Sequence, residues 1–379
     1  MMAVRTVAIV APHYPPRIGG VERYAAQIAS ALTHEPDLKP VVLTTGETKF
    51  RTRVSVQDGV QIVRLGSWLR LSNTPLSPLW PFQVRRWLRK LGADVVNAHA
   101  PVPGLGDIAV AVSGKRPAVL TYHSGTMHKG GADTGLADWL IGRYERHILP
   151  RVFDRADVLV PVSPVALAAG RSGAIQITPG VDVDRFTPGP PASQRPRDLI
   201  YVGRIDRTSA WKGIDVLIRA LAGLSDLPDV RLKLVGDGDA LPDHLELAAS
   251  LGVADRVESL GSLDGADLVE AVQSAAVLVL PSLTDAEAFG MVLLEAMACA
   301  TPVVASSVGG PAFVLENGES GLLVPPGDPA ALEKACRSLL EDTELADRMG
   351  ASGRRRVEEQ FAWPALTRRY AGLFRTLTV

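Results

Sequence analysis

The sequence predicts an α/β protein made of two doubly wound units, and three observations carry that prediction. Short β-branched runs alternate with helical patterns along all 379 residues. The runs are apolar throughout rather than alternating with polar residues, as in strands buried on both faces of a parallel sheet. A polar, proline-rich stretch at 186–196 divides the chain nearly in half. Single cores stop growing before about 300 residues, so two domains also fit the length.

Each element follows from its local pattern. In the first half, runs of strand length rich in Val, Ile, Leu and Thr lie at 7–10, 41–44, 61–65, 94–98, 119–122 and 158–160. In the second half they lie at 199–202, 231–235, 256–260, 277–280, 303–305 and 321–324. Helical patterns stand between them, among others at 21–32, 135–152, 212–224, 264–275 and 290–299. A last helix is expected at 364–377, after Trp363-Pro364, because proline suits a first helical turn. The residues alone leave open whether that helix packs on the second unit or crosses back to the first.

Composition excludes several classes. The chain is 46% hydrophobic and 21% charged, which is globular and not disordered. A formal net charge of −1 gives no global field for nucleic acid. The charge is unevenly placed: 22 Lys and Arg against 14 Asp and Glu over residues 1–190, and 18 against 27 over the rest. Cys299 and Cys336 are too few for a disulfide framework or zinc cage and sit in apolar helical patterns, so they read as small buried residues of a reduced, cytoplasmic protein. No apolar run approaches the roughly 20 residues that span a bilayer. The first apolar run is strand-length and soon followed by His13, Arg17 and Glu22, which is not a signal peptide.

In an open α/β sheet, ligands bind in loops after the C-terminal ends of strands. The first such loop carries His13, Tyr14, Pro15 and Pro16, then Gly19-Gly20-Val21-Glu22 opening a helix. Two glycines let backbone N–H groups approach a ligand, and a helix N-terminus attracts anions. Alone, the pair reads at least as well as a plain strand-to-helix turn. The second half opens with Tyr201-Val202-Gly203-Arg204, and Lys212-Gly213 begins the next helix. An arginine fork and a mobile lysine at one sheet edge suit a diphosphate, although either cation alone would be an ordinary surface residue.

The segment from Asp285 through Glu287, Phe289, Gly290, Met291 and Val292 to Glu295 follows an apolar strand. Phe289-Gly290 reads as a tight turn into a helix, and Glu295 is surrounded by apolar neighbours, so its carboxylate needs a polar partner. Continuous helix would separate Glu287 and Glu295 by about 12 Å, beyond the reach of a glycosidase pair and compatible with two ends of one extended ligand. His99 and His123 stand at or after strand ends, where a histidine can bond a ligand hydroxyl; for His99 a capping or packing role is equally served. The pairs Asp182/Asp184 and Asp237/Asp239 follow turn glycines and read as turn chemistry rather than a metal site.

Taken in order, these motifs resemble the GT4 family of retaining glycosyltransferases. The residues that carry the resemblance are Gly19-Gly20-Val21-Glu22, Pro179-Gly180-Val181-Asp182 with Phe186 and Pro188, Val202-Gly203-Arg204, Lys212-Gly213, Gly236-Asp237-Gly238, Leu260-Gly261 and the Glu287/Glu295 pair. Gly309-Gly310, Asn317-Gly318 and Gly321-Leu322-Leu323-Val324-Pro325 continue it. It runs from about residue 4 to the end. Each motif is weak alone; the ordered set is specific. The resemblance implies a GT-B fold: two Rossmann-like domains with parallel sheets facing an interdomain cleft, an acceptor-binding domain at 1–188, a nucleotide-sugar-binding domain at 189–362, and a helix at 363–379 crossing back to the first.

It further implies roles by position. Arg204 and Lys212 bind the donor diphosphate, Glu287 contacts the transferred sugar, and His123 lies near that sugar. The backbone of Phe289, Gly290, Met291 and Val292 sits against phosphates and sugar, and Glu295 takes the ribose hydroxyls. Gly261 and Leu263 line the base, Gly19-Gly20 reaches over from the other domain, and Tyr14 and Glu22 are candidates for the acceptor. No cofactor and no metal is expected, because the two cations neutralise the leaving group. Arg204 and Lys212 are eight positions apart where the family commonly has five, so Arg207 in the longer loop is a candidate to share the lysine's role.

The expected activity is transfer of a hexose from a UDP-sugar or GDP-mannose to a hydroxyl acceptor, in cell-envelope glycolipid or polysaccharide synthesis. The alternatives are a soluble or natural-product acceptor, or a non-catalytic sugar-nucleotide-binding protein. An NAD-dependent enzyme is disfavoured because neither half has Gly-x-Gly-x-x-Gly after its first strand. The stretch 68–90 mixes Trp68, Trp80, Phe82 and Trp87 with Arg70, Arg85, Arg86, Arg89 and Lys90. It reads either as an amphipathic helix with aromatics turned inward or as a peripheral membrane contact on the inner face.

Overall fold

The computed structural model describes residues 4–17, 19–46, 48–71, 74–125, 127 and 135–377. The chain divides into two compact units, one made of 1–179 with 363–379, the other of 180–362. The crossing therefore lies at Pro179-Gly180, nine residues before the boundary expected at 188/189.

The proline-rich stretch is not a linker, and its hydrogen bonds give the reason. Gly189 N donates to Cys299 O (2.9 Å), and the Gln273 amide donates to Thr187 O (2.6 Å). Arg354 donates to Phe186 O (2.6 Å), while Phe186 and Arg195 are buried. Polar composition here reflects a pinned surface segment of the second unit.

The first unit has a seven-stranded sheet in the order Arg53–Gln57, Val60–Leu65, Leu38–Thr45, Arg5–Val10, Val95–Ala100, Ala118–Tyr122, Val158–Pro161. All pairs are parallel except the edge hairpin Arg53–Gln57/Val60–Leu65. That hairpin strand is exposed along its length, and its mixed Arg-Val-Ser-Val-Gln pattern gave no buried-strand signal. Alternate residues of the first strand serve two cores. Ala8 and Val10 join Trp80, Val84 and Leu88 on one face. Val7 and Ile9 join Tyr24, Ile28, Tyr370 and Phe374 on the other. The last helix, Trp363–Thr376, thus packs beside helix Gly20–Leu32. The pattern at 135–152 forms two helices, Gly135–His147 and Leu149–Arg155, broken just before Pro150.

The second unit has six parallel strands in the order Val257–Gly261, Arg231–Val235, Asp198–Val202, Val277–Leu280, Val303–Ser306, Leu322–Val324. Leu199 and Tyr201 face one core and Ile200 the other. Counting only the parallel strands, both units have the order 3-2-1-4-5-6. Each therefore has a switch point, between Arg5–Val10 and Val95–Ala100 in one and between Asp198–Val202 and Val277–Leu280 in the other. Crevices for ligands open outside the strand C-termini at such points. Cys299 and Cys336 are fully buried.

Candidate active site

In the second unit the two strands flanking the switch point end at Val202 and Leu280, and their following loops meet. After Val202 comes the Gly203-Arg204 turn, shaped by the Tyr201 hydroxyl donating to Arg204 O (3.2 Å). The Arg204 side chain is exposed, with Asp206 at 3.6 Å. The longer loop folds into a 3-10 turn, Arg207–Lys212, whose Trp211 carbonyl accepts from Leu283 N (2.7 Å). That bond ties the loop to the segment following the neighbouring strand.

The loop delivers Lys212 to Glu287. Lys212 Nζ donates to Glu287 Oε2 at 2.7 Å, with both side chains nearly buried, and Ser282 Oγ donates to the same oxygen at 3.1 Å. The ammonium also lies 4.6 Å from the Trp211 ring centroid. One of the three N–H donors of Lys212 is thereby committed to Glu287. Arg207 does not join this group. Its guanidinium grips Asp243 through two bonds of 2.9 Å, on helix Leu241–Ser250.

Glu287 lies in the loop, not in a helix, so the 12 Å estimate from continuous helix does not apply. The helix runs from Met291 to Ala298, with Gly290 as its N-cap at φ 81°, a left-handed conformation suited to glycine. Phe289 and Gly290 are buried, and Met291 and Val292 are half-buried in the first turn. Glu295 is buried in the second turn among Leu293, Leu294, Ala296 and Met297.

Gly309-Gly310 backs this loop. Gly310 N donates to Glu287 O (2.9 Å), and Gly309 N donates to Asp285 Oδ1 (2.8 Å). A Cβ on Gly310 would stand 2.1 Å from Phe289 Cα, so only glycine allows the approach. Gly261 ends its strand, and its carbonyl accepts from Gly236 N (2.8 Å). Leu263 packs half-buried against the core beside it. The Asp182 carboxylate accepts from the backbone N–H groups of Asp184 and Arg185, both at 3.1 Å, which is an Asx turn.

The first unit's switch-point edge is different in kind. His13 and Glu22 are buried and Tyr14 is half-buried, its phenol pushed up to about 12 by burial. The Glu22 carboxylate folds over Gly19: a Cβ there would lie 2.3 Å from Glu22 Oε2. Arg17 Nε stands 3.9 Å from the same side chain. Gly20 starts the helix and is open to solvent.

His123 follows the strand Ala118–Tyr122, and its Nε2 lies 2.9 Å from Nδ1 of His99, which is fully buried inside the neighbouring strand. His99 therefore serves packing and His123, not a ligand directly. Burial lowers both imidazoles well below their usual value, His99 to about 3, and the neighbouring His99 adds to the shift of His123. Both are neutral at pH 7.

Sequence profiles and whole-chain comparisons bear on this arrangement. The profile described as glycosyl transferases group 1 matches residues 183–356, and that described as glycosyltransferase family 4 matches 18–185. The chain is 31% identical over 382 residues to a phosphatidyl-myo-inositol mannosyltransferase of Mycobacterium leprae, covering 98% of this chain and 96% of the relative. The chain belongs to glycosyltransferase family 4.

A GDP-mannose-dependent alpha-(1-6)-phosphatidylinositol monomannoside mannosyltransferase of Mycolicibacterium smegmatis is 30% identical over 385 residues, 96% of this chain and 97% of that one. Among solved structures, sucrose-phosphate synthase of Thermosynechococcus elongatus superposes with a TM-score of 0.78 at 26% identity over 98% of each chain. This family 4 enzyme is thus a glycosyltransferase of GT-B fold that uses a nucleotide-sugar donor.

Sequence reading missed three things here. Ser282 as the second partner of Glu287 carried no motif. The partnership of Lys212 with Glu287, 75 positions apart, had no local signal. The polar chain behind His123, described below, was equally silent. Of the stretch 68–90, the side chains of Arg70 and Leu71 and all of 72–73 lie outside the described residues. Helix Trp80–Lys90 buries Trp80, Val84 and Leu88, half-buries Trp87, and exposes Phe82 at 66% with Arg85, Arg86, Arg89 and Lys90. No helix among the described residues is long and apolar enough to cross a membrane.

Proposed function

We propose that this enzyme transfers a hexose, with retention at the anomeric carbon, from a nucleoside-diphosphate sugar to a hydroxyl of a lipid-linked or otherwise anionic acceptor. GDP-mannose is the first donor candidate, because the curated mannosyltransferase relative of smegmatis is GDP-mannose-dependent at 30% identity. The observation that carries the reading is the Lys212–Glu287 pair beside the N-terminus of helix Met291–Ala298 at a switch point.

In this reading Lys212 and Arg204 meet the diphosphate, and the helix N-terminus adds backbone donors from Gly290 to Val292. Charge grows on the leaving phosphate as the bond from the anomeric carbon to its oxygen breaks. Fixed cations lower that barrier without a metal. The acceptor oxygen forms the new bond on the same face, and its proton passes to the leaving phosphate, so no protein nucleophile is required. Glu287 holds the lysine and contacts the sugar, Glu295 takes ribose hydroxyls, Gly261 and Leu263 line the base, and His123 and Gly19-Gly20 serve the sugar and phosphates. Tyr14 and Glu22 belong to the acceptor side.

Phe82 and the four cations around it support a peripheral contact with anionic lipid, at the cytoplasmic face. Co-sedimentation with anionic vesicles tests that part; absence of binding at any salt concentration would remove it. For the activity, release of sugar from GDP-mannose, UDP-glucose, UDP-galactose and UDP-N-acetylglucosamine is measured with and without a phosphatidylinositol acceptor. Turnover of one donor, with the product's anomeric configuration matching the donor's, is the expected result. Inversion, or no turnover of any donor, would contradict the reading.

A further inference from the structure

Behind His123 the first unit contains an unbroken run of buried polar groups. Asn97 and His99 point to one face of the strand Val95–Ala100, and His99 pairs in register with Thr121 of the next strand. The Asn97 amide lies 3.1 Å from His99 Nε2 and 2.9 Å from Thr121 Oγ1. Thr121 Oγ1 lies 3.2 Å from the Tyr370 hydroxyl, which lies 2.8 Å from that of Tyr24. Tyr24 Oη reaches the Ile177 carbonyl at 3.1 Å. Asn97, His99, Thr121 and Tyr370 have no exposed surface, and Tyr24 has 2%.

The end of this run fixes its direction. A backbone carbonyl only accepts, so Tyr24 donates to Ile177 O. Its single proton is then committed, and it accepts from Tyr370. Tyr370 in turn accepts from the Thr121 hydroxyl, and Thr121 accepts from the Asn97 NH2. The Asn97 oxygen therefore faces His99 and accepts from Nε2–H. A neutral His99 has one proton, so its Nδ1 is bare and accepts from His123 Nε2–H. The T-shaped packing of Tyr24 against the His123 ring, centroids 4.9 Å apart, holds the imidazole in that plane.

We propose that this directed chain locks His123 as the tautomer protonated on Nε2, presenting a bare Nδ1 as acceptor for a hydroxyl of the donor sugar, with Asn97, Tyr24 and Tyr370 as its positioning residues. The sugar contact rests on the function proposed above; the tautomer does not. Burial of both rings, which keeps them neutral at pH 7, agrees with it. Reversing any one bond would leave two donors or two lone pairs facing each other in a dry interior, at a cost comparable to an unmade buried hydrogen bond.

The test is 15N–1H correlation of the imidazole rings in the full chain at pH 7. There are seven histidines, so signals are assigned by loss in His123→Asn and His99→Asn. The expected result is a pyridine-type Nδ1 and pyrrole-type Nε2 on both rings. Tyr24→Phe removes the anchor on Ile177 O, which lets the chain reverse, and a second His123 population protonated on Nδ1 is expected. Tyr370→Phe cuts the same chain one step later and carries the same expectation should Tyr24→Phe not fold. A wild-type His123 protonated on Nδ1, an imidazolium at pH 7, or an unchanged tautomer in either folded variant would overturn the proposal. GDP-mannose and UDP-glucose are then added to the wild type. A shift of Nδ1 beyond that given by GDP or UDP supports the sugar contact; no such shift from a bare Nδ1 would overturn that contact while the hydrogen-bond chain stands.

Discussion

The two units of this chain share a strand order and differ in what they place at its switch point. In the second unit the edge holds an ion pair, Lys212 with Glu287, the exposed Arg204, and the N-terminus of helix Met291–Ala298, capped by Gly290. In the first unit the corresponding edge sets Arg17 3.9 Å from Glu22, and beside it runs a neutral set: two histidines kept uncharged by burial and a tyrosine pair running into the last helix. Topology decides where a ligand can approach, and the residues at that edge decide which part of it is served. Charge suits a departing diphosphate, whereas neutral donors and acceptors of fixed direction suit hydroxyls.

Breaking the charged edge has the largest expected effect. If Lys212 meets the diphosphate as proposed, Lys212→Ala removes a cation from the leaving group and lowers kcat by about 10²–10³-fold. It also leaves Glu287 nearly buried without its lysine, so Tm falls as well. Wild-type kcat per folded molecule would separate Lys212 from the chemistry. In the proposed role Glu295 binds the ribose equally in ground and transition states, so Glu295→Ala is expected to raise KM for the donor about 10-fold with kcat little changed. Steady-state kinetics on the preferred donor read both numbers.

The neutral run behind His123 is broken by acid. His99 takes up a proton at about 3 in the folded chain, against its usual 6.5. Between these values the unfolded chain binds the proton and the folded chain does not. The stability is therefore complete above 6.5 and is lost as pH falls toward 3, by about 2 kcal/mol from His99 at pH 5. His123 acts in the same direction. Thermal unfolding between pH 7 and 5 measures this, and a flat Tm would contradict a buried, neutral His99. The smallest effect is expected from Arg207→Ala. Its guanidinium is spent on exposed Asp243, so kcat/KM should stay within about twofold.

Much of the comparison was legible in the sequence, and the parts that were not have physical reasons. Strands buried on both faces, the glycines at strand ends and the apolar setting of Glu295 are local patterns, and they located both edges. The proline-rich 186–196 misled because composition reports solvent exposure, while Gln273 and Arg354, which pin the segment with Cys299, lie 86 and 168 positions from their partners. Arg207 was a candidate partner of the site until Asp243, 36 positions on, was seen to hold it. Tyr24 and Tyr370 are 346 positions apart, each an unremarkable core tyrosine on its own helix. Only the packed sheet makes them neighbours, and only the donor count makes them directional.

The central claim is that the nucleoside diphosphate is held at the second unit's edge. Hydrogen exchange of the full chain, with and without GDP and UDP, tests it most directly. The account predicts slowed exchange in 203–213 and 285–296 on addition of the preferred nucleotide, with the Lys212→Ala chain showing a weaker response. Protection confined to residues 1–179, with those two segments unchanged, would contradict it.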